Sequence, residues 1–380
     1  MTLNWIPTAP NQPVLALAPM QDVTDLPFWR LMARYGGADV YYTEYFRVHA
    51  TSHLEKYILR SIEENPTGKP VIAQMIGNDI EALVRTAREL QQLPIVAVDL
   101  NLGCPAPVVY RKCAGGGLLR EPKRVDAILG ALRDAIQPPC RFTVKTRLGF
   151  DSPAVFEELL PIFAKHSIDL LTVHGRTVYE MYRTEVHYDF IARAVEAMPC
   201  PVLANGNVSS ATKALEILEI TGAAGLMIGR GAIRNPWLFD QIRNAAGSGT
   251  AARIAALDQN GLGNSVSVSG QSRAAMLAAV PEPAAVPRGC DVLDYVRQLY
   301  DAVCTPGVKE SSQVQKMKKY LNYIAAGSEP TGNFLHDIRR VNTRAEFFRV
   351  CEEFLDHDQP MPLEPFTHPA TASETDRVDC

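Results

Sequence analysis

Eight short, β-rich apolar runs recur through the first two-thirds of this 380-residue chain, alternating with longer helical patterns between most of them. The runs are Val14–Ala18, Val40–Thr43, Pro70–Met75, Val96–Leu100, Phe142–Thr146, Leu170–Val173, Pro201–Ala204 and Gly225–Ile228. They are nearly continuous rather than alternating, the pattern of parallel strands covered on both faces. Helical periodicity lies between them at Phe28–Tyr35, Ile80–Leu90, Lys123–Ile136, Ala154–Lys165, Phe190–Met198 and Ala211–Thr221. Eight strand–helix units in about 245 residues match the usual size of a (β/α)₈ TIM barrel. The rival is a doubly wound open sheet. It would carry a Gly-rich dinucleotide fingerprint after its first strand, where Ala18-Pro19-Met20 stands instead. The expected fold is therefore α/β, a TIM barrel over residues 1–244.

Beyond the barrel the composition changes. Residues 245–290 are dominated by Ala, Gly, Ser, Val and Pro and read as an insertion or linker. Helical periodicity resumes at Val292–Val303, Ser312–Ala326, Leu335–Arg339 and Arg344–Asp356, predicting a small all-α domain over 291–356. Residues 357–380, rich in Pro, Thr and acids, are expected to be disordered. No run approaches the roughly 20 apolar residues of a membrane span. Met1 to Asn11 lacks the basic start and apolar core of a secretory signal, so a cytoplasmic address is expected. The eight cysteines include no C-x-x-C pair and no histidine spacing that completes a zinc site, so no metal is expected. The formal net charge of −4 weakly opposes nucleic-acid binding, yet its distribution is uneven. Seven Lys/Arg face only Glu310, Glu329 and Asp337 between Lys309 and Arg344. The cluster Lys316, Lys318, Lys319 and the pair Arg339-Arg340 are candidate contacts to a nucleic-acid backbone, or else a solvated helix face.

Active sites of TIM barrels lie at the C-terminal ends of the strands. Read in order, those positions hold Pro19-Met20, Glu44, Gln74, Asn101 with Cys104, Lys145 with Arg147, His174 with Arg176, Asn205-Gly206-Asn207 and Gly229-Arg230. The last two loops pair glycines with Arg230 where barrels commonly bind phosphate. A lysine ending a buried strand is costly unless it meets an anion or is tuned for chemistry. Lys145 could stabilise charge on a reduced flavin, or it could form a Schiff base. Glycine before Cys104 and proline after it form a tight turn that aims the thiol into the barrel mouth. There it could donate a proton as an acid or attack as a thiolate.

From about Leu15 to Arg243 the chain resembles the tRNA-dihydrouridine synthases. The motifs are Ala18-Pro-Met20, Thr43-Glu44, Gln74-Met-Ile-Gly77, Asp99-Leu-Asn-Leu-Gly-Cys-Pro105, Gly115-Gly-Gly-Leu-Leu119, Lys145-Thr-Arg-Leu-Gly149, His174-Gly-Arg-Thr177, Asn205-Gly206 and Ile228-Gly-Arg230. The resemblance implies FMN held by Met20, Gln74, Lys145, His174, Asn205, Gly206, Gly229 and Arg230, with Pro19 and Asn207 in the same loops. It also implies Cys104 as the acid, and Asn101, Arg147, Arg176 and Tyr182 around the uracil. Hydride would reach uracil C6 while the thiol protonates C5. NADPH is the implied reductant and tRNA the implied substrate of a monomeric enzyme. Thr43-Glu-Tyr-Phe-Arg-Val48 leans toward the bacterial branch that modifies D-loop position 16. Three other readings stay open: an FMN barrel acting on a free pyrimidine, a Schiff-base aldolase using Lys145, and an RNA-binding chaperone without catalysis.

Overall fold

The computed structural model describes residues 3–247, 286–305 and 307–366. Nine parallel strands run β1 (Val14–Leu17), β2 (Val40–Tyr42), β3 (Phe46–Arg47), β4 (Val71–Ile76), β5 (Ala97–Leu102), β6 (Arg141–Arg147), β7 (Leu170–His174), β8 (Val202–Asn205) and β9 (Gly225–Ile228). β2 pairs with β1 and β4, each later strand pairs with the next, and β9 returns to β1. The sheet is thus a closed eight-membered barrel. The short β3 continues β2 along β4 after the break at Thr43-Glu44-Tyr45.

Closure creates two apolar cores. Inside the barrel, Val14, Ala16, Val40, Tyr42, Ile72, Ala97, Leu170, Leu203 and Met227 pack together, with Leu3 and Ile6 of the N-terminal segment. A far larger core lies between the strands and the surrounding helices. Side chains on a strand alternate faces, so residues i and i+2 share the interior. The interior series therefore read from apolar to polar along β4, β5, β7 and β8: Ile72 then Gln74, Ala97 then Asp99 and Asn101, Leu170 then Thr172 and His174, Leu203 then Asn205. On β6 the series is Thr143, Lys145, Arg147. That gradient puts the polar groups in one ring at the C-terminal mouth.

The expected strands all form, with ends shifted by a residue or two. Helices Ile80–Leu90 and Ala211–Thr221 match expectation, each capped by a side chain, Asp79 accepting from Ala82 N and Ser210 from Lys213 N. Helix Lys56–Glu64 was not expected. It buries only Ile58, Ser61 and Ile62, too few residues to stand out among its charges.

Four helices, Gly289–Val303, Glu310–Ile324, Asn333–Ile338 and Arg344–Leu355, follow the barrel. They dock beside its mouth. Tyr320 stacks on Phe28 at 6.0 Å and donates to Val23 O at 2.9 Å, while Tyr295 donates to Ile233 O at 2.8 Å. The proposed linker at 245–290 is helical at its two edges: one helix continues through 247 and the next includes 289 and 290. Residues 248–285 lie outside the described residues, as do 367–380 of the tail. Residues 357–366, expected to be disordered, are not. Met361 and Leu363 are buried, and Phe366 N donates to Ala326 O at 3.2 Å. The acidic and proline content concealed two apolar anchors. Among the described residues, no helix is long and apolar enough to cross a membrane.

Candidate active site

Register sets the floor of the mouth. Gln74 pairs with Asp99, Asp99 with Thr143, Asn101 with Lys145, Arg147 with His174, and His174 with Asn205. A chain of buried hydrogen bonds then runs across three strands. Thr143 Oγ1 donates to Asp99 Oδ1 at 2.6 Å and Gln74 Nε2 to Asp99 Oδ2 at 2.8 Å. Asn101 Nδ2 donates to Gln74 Oε1 at 2.8 Å, and Asn101 Oδ1 accepts from Gly103 N at 2.9 Å and Cys104 N at 3.0 Å. A carboxylate only accepts, so Asp99 fixes the orientation of the Gln74 amide, which fixes that of Asn101. Asn101 in turn holds the tight turn that presents Cys104. Burial raises Asp99 to about 6, against the pull of the Thr143 and Gln74 bonds and the charge of Lys145.

Cys104 sits below the surface. Burial pushes its thiol above the ordinary range, offset in part by a backbone bond at Ala106, a bond to Tyr45 and the charges of Arg147 and Lys145. The glycine run Gly115-Gly116-Gly117 forms a 3₁₀ turn, Gly115–Arg120, packed against the cysteine loop. Gly116 N donates to Cys104 O at 3.2 Å, and a Cβ on Gly116 would lie 2.8 Å from that same oxygen. Only glycine permits this approach.

Around the thiol, cations converge. Lys145 is lowered to about 8 by burial and then by Arg147. Arg176 is lowered to about 10 by burial, Arg230 and Arg147. His174 falls well below its ordinary range through burial and the charges of Arg147, Lys145, Arg176 and Arg230, and is therefore neutral. Arg176 Nη1 lies 3.3 Å from His174 Nε2. A guanidinium only donates, so Nε2 accepts and the imidazole proton is on Nδ1. Mutual repulsion in a recessed site is unfavourable until an anion enters.

The loops after β8, β9 and β1 form one wall. Asn205 Nδ2 donates to Met227 O at 2.8 Å, and Gly206 has φ +130°, a conformation open to glycine. Arg230 Nη2 donates to Asn207 Oδ1 at 3.2 Å, and its guanidinium lies 4.5 Å from the Tyr182 ring centroid. A Cβ on Gly229 would come within 3.0 Å of Met20 Sδ, so the β9 and β1 loops abut. Thr24 ties the β1 loop at Pro19-Met20 by accepting from Met20 N at 2.8 Å and donating to Ala18 O at 3.0 Å.

The arginines are more occupied than the sequence suggested. Arg147 spends Nε on Gly103 O at 3.0 Å and Nη1 on Thr177 O and Met181 O, each at 2.8 Å. It clamps the cysteine loop to the β7 loop, with Tyr182 5.2 Å from its guanidinium. Arg176 donates to Thr184 O at 2.8 Å and serves His174. Asp99 and Thr143 were not among the expected site residues, and Glu44 was expected at the mouth without a role. Asp99 and Thr143 could have been found as interior partners by counting in twos from Asn101 and Lys145. Glu44, raised to about 7 chiefly by burial, accepts from Asp22 N at 2.5 Å and braces the β1 loop.

The basic C-terminal segment divides. Lys319 pairs with Asp22 at 3.6 Å and Lys316 with Asp25 at 3.4 Å, both acids on the β1 loop. Arg339 donates to Asn322 Oδ1 at 3.2 Å and Arg340 to His336 O at 3.0 Å, and both are exposed. Lys318 corrects the expectation of a uniform basic face. It is only 8% exposed and donates to Arg339 O at 2.9 Å, because it falls on the helix stripe shared with Val314, Met317 and Leu321. Lys318→Glu should therefore destabilise the fold, by about 1–3 kcal/mol for the lost donor alone. Thermal unfolding checks this; an unchanged midpoint would return Lys318 to the surface.

A closed parallel barrel with cationic side chains gathered near a recessed thiol at its C-terminal mouth has the arrangement of a barrel enzyme's active site. Residues 16–260 match the family described as dihydrouridine synthase (Dus). The chain belongs to that family and is an oxidoreductase of that kind. It is 27% identical over 354 residues to a tRNA-dihydrouridine(16) synthase of Neisseria meningitidis, covering 91% of this chain and 96% of the relative. It is 36% identical over 238 residues to tRNA-dihydrouridine synthase B of Vibrio parahaemolyticus, covering 62% of this chain and 73% of the relative. Among solved structures, a histamine dehydrogenase from Rhizobium sp. 4-9 superposes with a TM-score of 0.50 at 12% identity, over 91% of this chain and 63% of that one. That likeness concerns the fold.

Proposed function

We propose that this enzyme reduces the C5=C6 bond of a D-loop uridine in tRNA, using FMN as bound cofactor and NADPH as reductant. The observation that carries the reading is the cationic mouth, Lys145, Arg147, Arg176 and Arg230 around neutral His174, with Cys104 at its edge. These residues fit FMN. Gly206, at φ +130°, and Gly229 lie in the loops that carry Arg230, where a barrel commonly binds phosphate, and Met20 packs against Gly229 as an apolar side of the site. Lys145 and His174 would hold the electron-rich edge of the flavin ring, and Gln74 and Asn101 would offer it polar groups. When bound, FMN supplies a hydride to uracil C6.

The chain's own residues do the remaining work. Cys104, kept protonated by burial, gives its proton to C5. Asn101 holds the thiol loop through two N–H bonds, and Arg147 fixes the loop opposite through Thr177 and Met181. Tyr182, flanked by Arg147 and Arg230, offers a ring and hydroxyl to the uracil edge. Asp99, held by Thr143 and Gln74, orients the chain without touching substrate. A uridine in folded RNA must leave its stack to reach this depth. Lys319, Arg339 and Arg340 then meet phosphates from the helical side, with Lys316 behind them on Asp25. Residues 1–244 act as the catalytic barrel and 291–356 as the RNA-binding part, in a monomer working in the cytoplasm. Position 16 is favoured because the relative named for that position aligns through the helical region as well as the barrel.

The test is anaerobic: NADPH is added to purified protein, then unmodified tRNA, while flavin absorbance is followed. Reoxidation that requires tRNA is expected. A flavin that reduces and ignores tRNA would favour action on a free pyrimidine; protein without flavin would refute the cofactor assignment. Mapping dihydrouridine in the product tests position 16.

A further inference from the structure

We propose that tRNA is held beside the target uridine by a lip on the barrel itself, formed by helix Pro107–Tyr110, the turn after it and the 177–183 loop. This inference rests on tRNA being the substrate. The lip carries exposed Tyr179 and Val108, at 69% and 64%, interleaved with exposed Arg111, Lys112 and Arg183. None of these three cations forms an ion pair with a carboxylate among the described residues; the Arg183 guanidinium donates to Tyr179 O within its own loop. The opposite side of the mouth differs. There Lys316 and Lys319 pair with Asp25 and Asp22 and Lys318 is buried, while Arg339 and Arg340 are exposed.

The lip is one surface. Tyr110 packs edge-on against Phe150 at 5.2 Å, Tyr179 N donates to Phe150 O at 2.9 Å, and Val178 N donates to Gly149 O at 2.9 Å. Arg120 lies over the Phe150 ring at 3.2 Å from beneath. Its root is the catalytic loop, joined by Gly116 N to Cys104 O.

An exposed aromatic ring beside cations without a carboxylate partner suits one chemistry: single-stranded nucleotides, whose bases stack and whose phosphates need counter-charge. Extracting a base leaves its neighbours without a stacking partner at the entrance. Tyr179 supplies a replacement face, while Arg111, Lys112 and Arg183 meet the flanking phosphates. The lip thus adds to the helical domain's contacts a second one, next to the chemistry.

The test compares flavin-loaded parent, the double variant Arg111→Glu/Lys112→Glu, Tyr179→Ala and Tyr179→Phe. It measures tRNA affinity across a salt series and single-turnover flavin reoxidation. The double variant should bind more weakly, with a salt slope shallower by about 1.4 for two single-strand phosphate contacts. Tyr179→Ala should weaken binding by about 5- to 150-fold, the range for one stacked base. Tyr179→Phe should restore it, since the ring rather than the hydroxyl stacks. Melting temperature and flavin content identify any variant that fails to fold. Parent-like affinity and slope in a folded double variant, or equal losses in Phe and Ala, would overturn the lip. A parent that ignores tRNA would instead overturn the substrate assignment beneath it.

Discussion

Cys104→Ala is expected to keep its flavin and its affinity for tRNA while reducing uridine at least about 10²-fold more slowly, the low end for a lost general acid. Structure survives because the turn depends on the backbone: Asn101 holds the N–H groups of Gly103 and Cys104, and Gly116 N holds the Cys104 carbonyl. Chemistry fails because no other group with a transferable proton stands in the same turn. The pH profile follows from the sign of the shift. Burial raises the thiol above its ordinary 9.0, so the acid form dominates through the neutral range. The protonation step should stay flat there and fall only as pH rises through that elevated value. Single-turnover reoxidation of prereduced enzyme by tRNA, followed across pH, measures both effects. A parent-like rate in Cys104→Ala would remove the thiol from the reaction. A rate that rose with pH through the neutral range would mean that the thiolate, rather than the thiol, is the working form.

The barrel was legible because its strands are apolar on both faces, and that signal survives without any knowledge of register. The site was legible in outline for a related reason. A polar residue closing an apolar run, such as Gln74, Asn101, Lys145 or His174, has few places to go except the mouth. What the sequence concealed was the partnership among those residues. Asp99 and Thr143 lie on neighbouring strands 44 positions apart and meet only through the β5–β6 register. Arg147 looked like a substrate contact by type and position. Its three bonds to loop carbonyls come from the separate folding of two loops onto it. Lys318 was misjudged because composition weighs lysines alike, whereas helix phase places Lys318 inward and Lys319 outward. A basic residue one position along a helix turns by about 100°, enough to carry it from solvent into the core. The lip is hidden for the opposite reason: its cations are split between Arg111-Lys112 and the distant Arg183, too few at either place to stand out in sequence.

Lys145→Met should weaken FMN binding by at least about 30-fold, the lower bound for truncating one partner of a buried charge pair at about 2 kcal/mol. The parent protein should also show a pH dependence that the variant lacks. Without ligand, burial and Arg147 lower Lys145 to about 8. An anion raises it again, so above about pH 8 binding must take up a proton. Affinity should then fall by up to about tenfold per pH unit until the pKa of the liganded lysine is reached. Below pH 8 it should be flat, and in Lys145→Met flat throughout this window. Folding responds with the opposite sign. Between pH 8 and the ordinary 10.5 the unfolded chain holds a proton that the folded one has released, so this lysine's contribution to ligand-free stability rises with pH. At neutral pH the charged lysine is a cost to the empty fold, and the methionine variant should melt higher without FMN and gain less from adding it. Paired melting curves with and without FMN, at neutral and alkaline pH, separate the two signs. A variant that melts lower when empty and binds FMN as tightly as the parent would show that Lys145 supports the barrel rather than the anion. The expected crossing would instead identify it as a group held at the fold's expense for the ligand it receives.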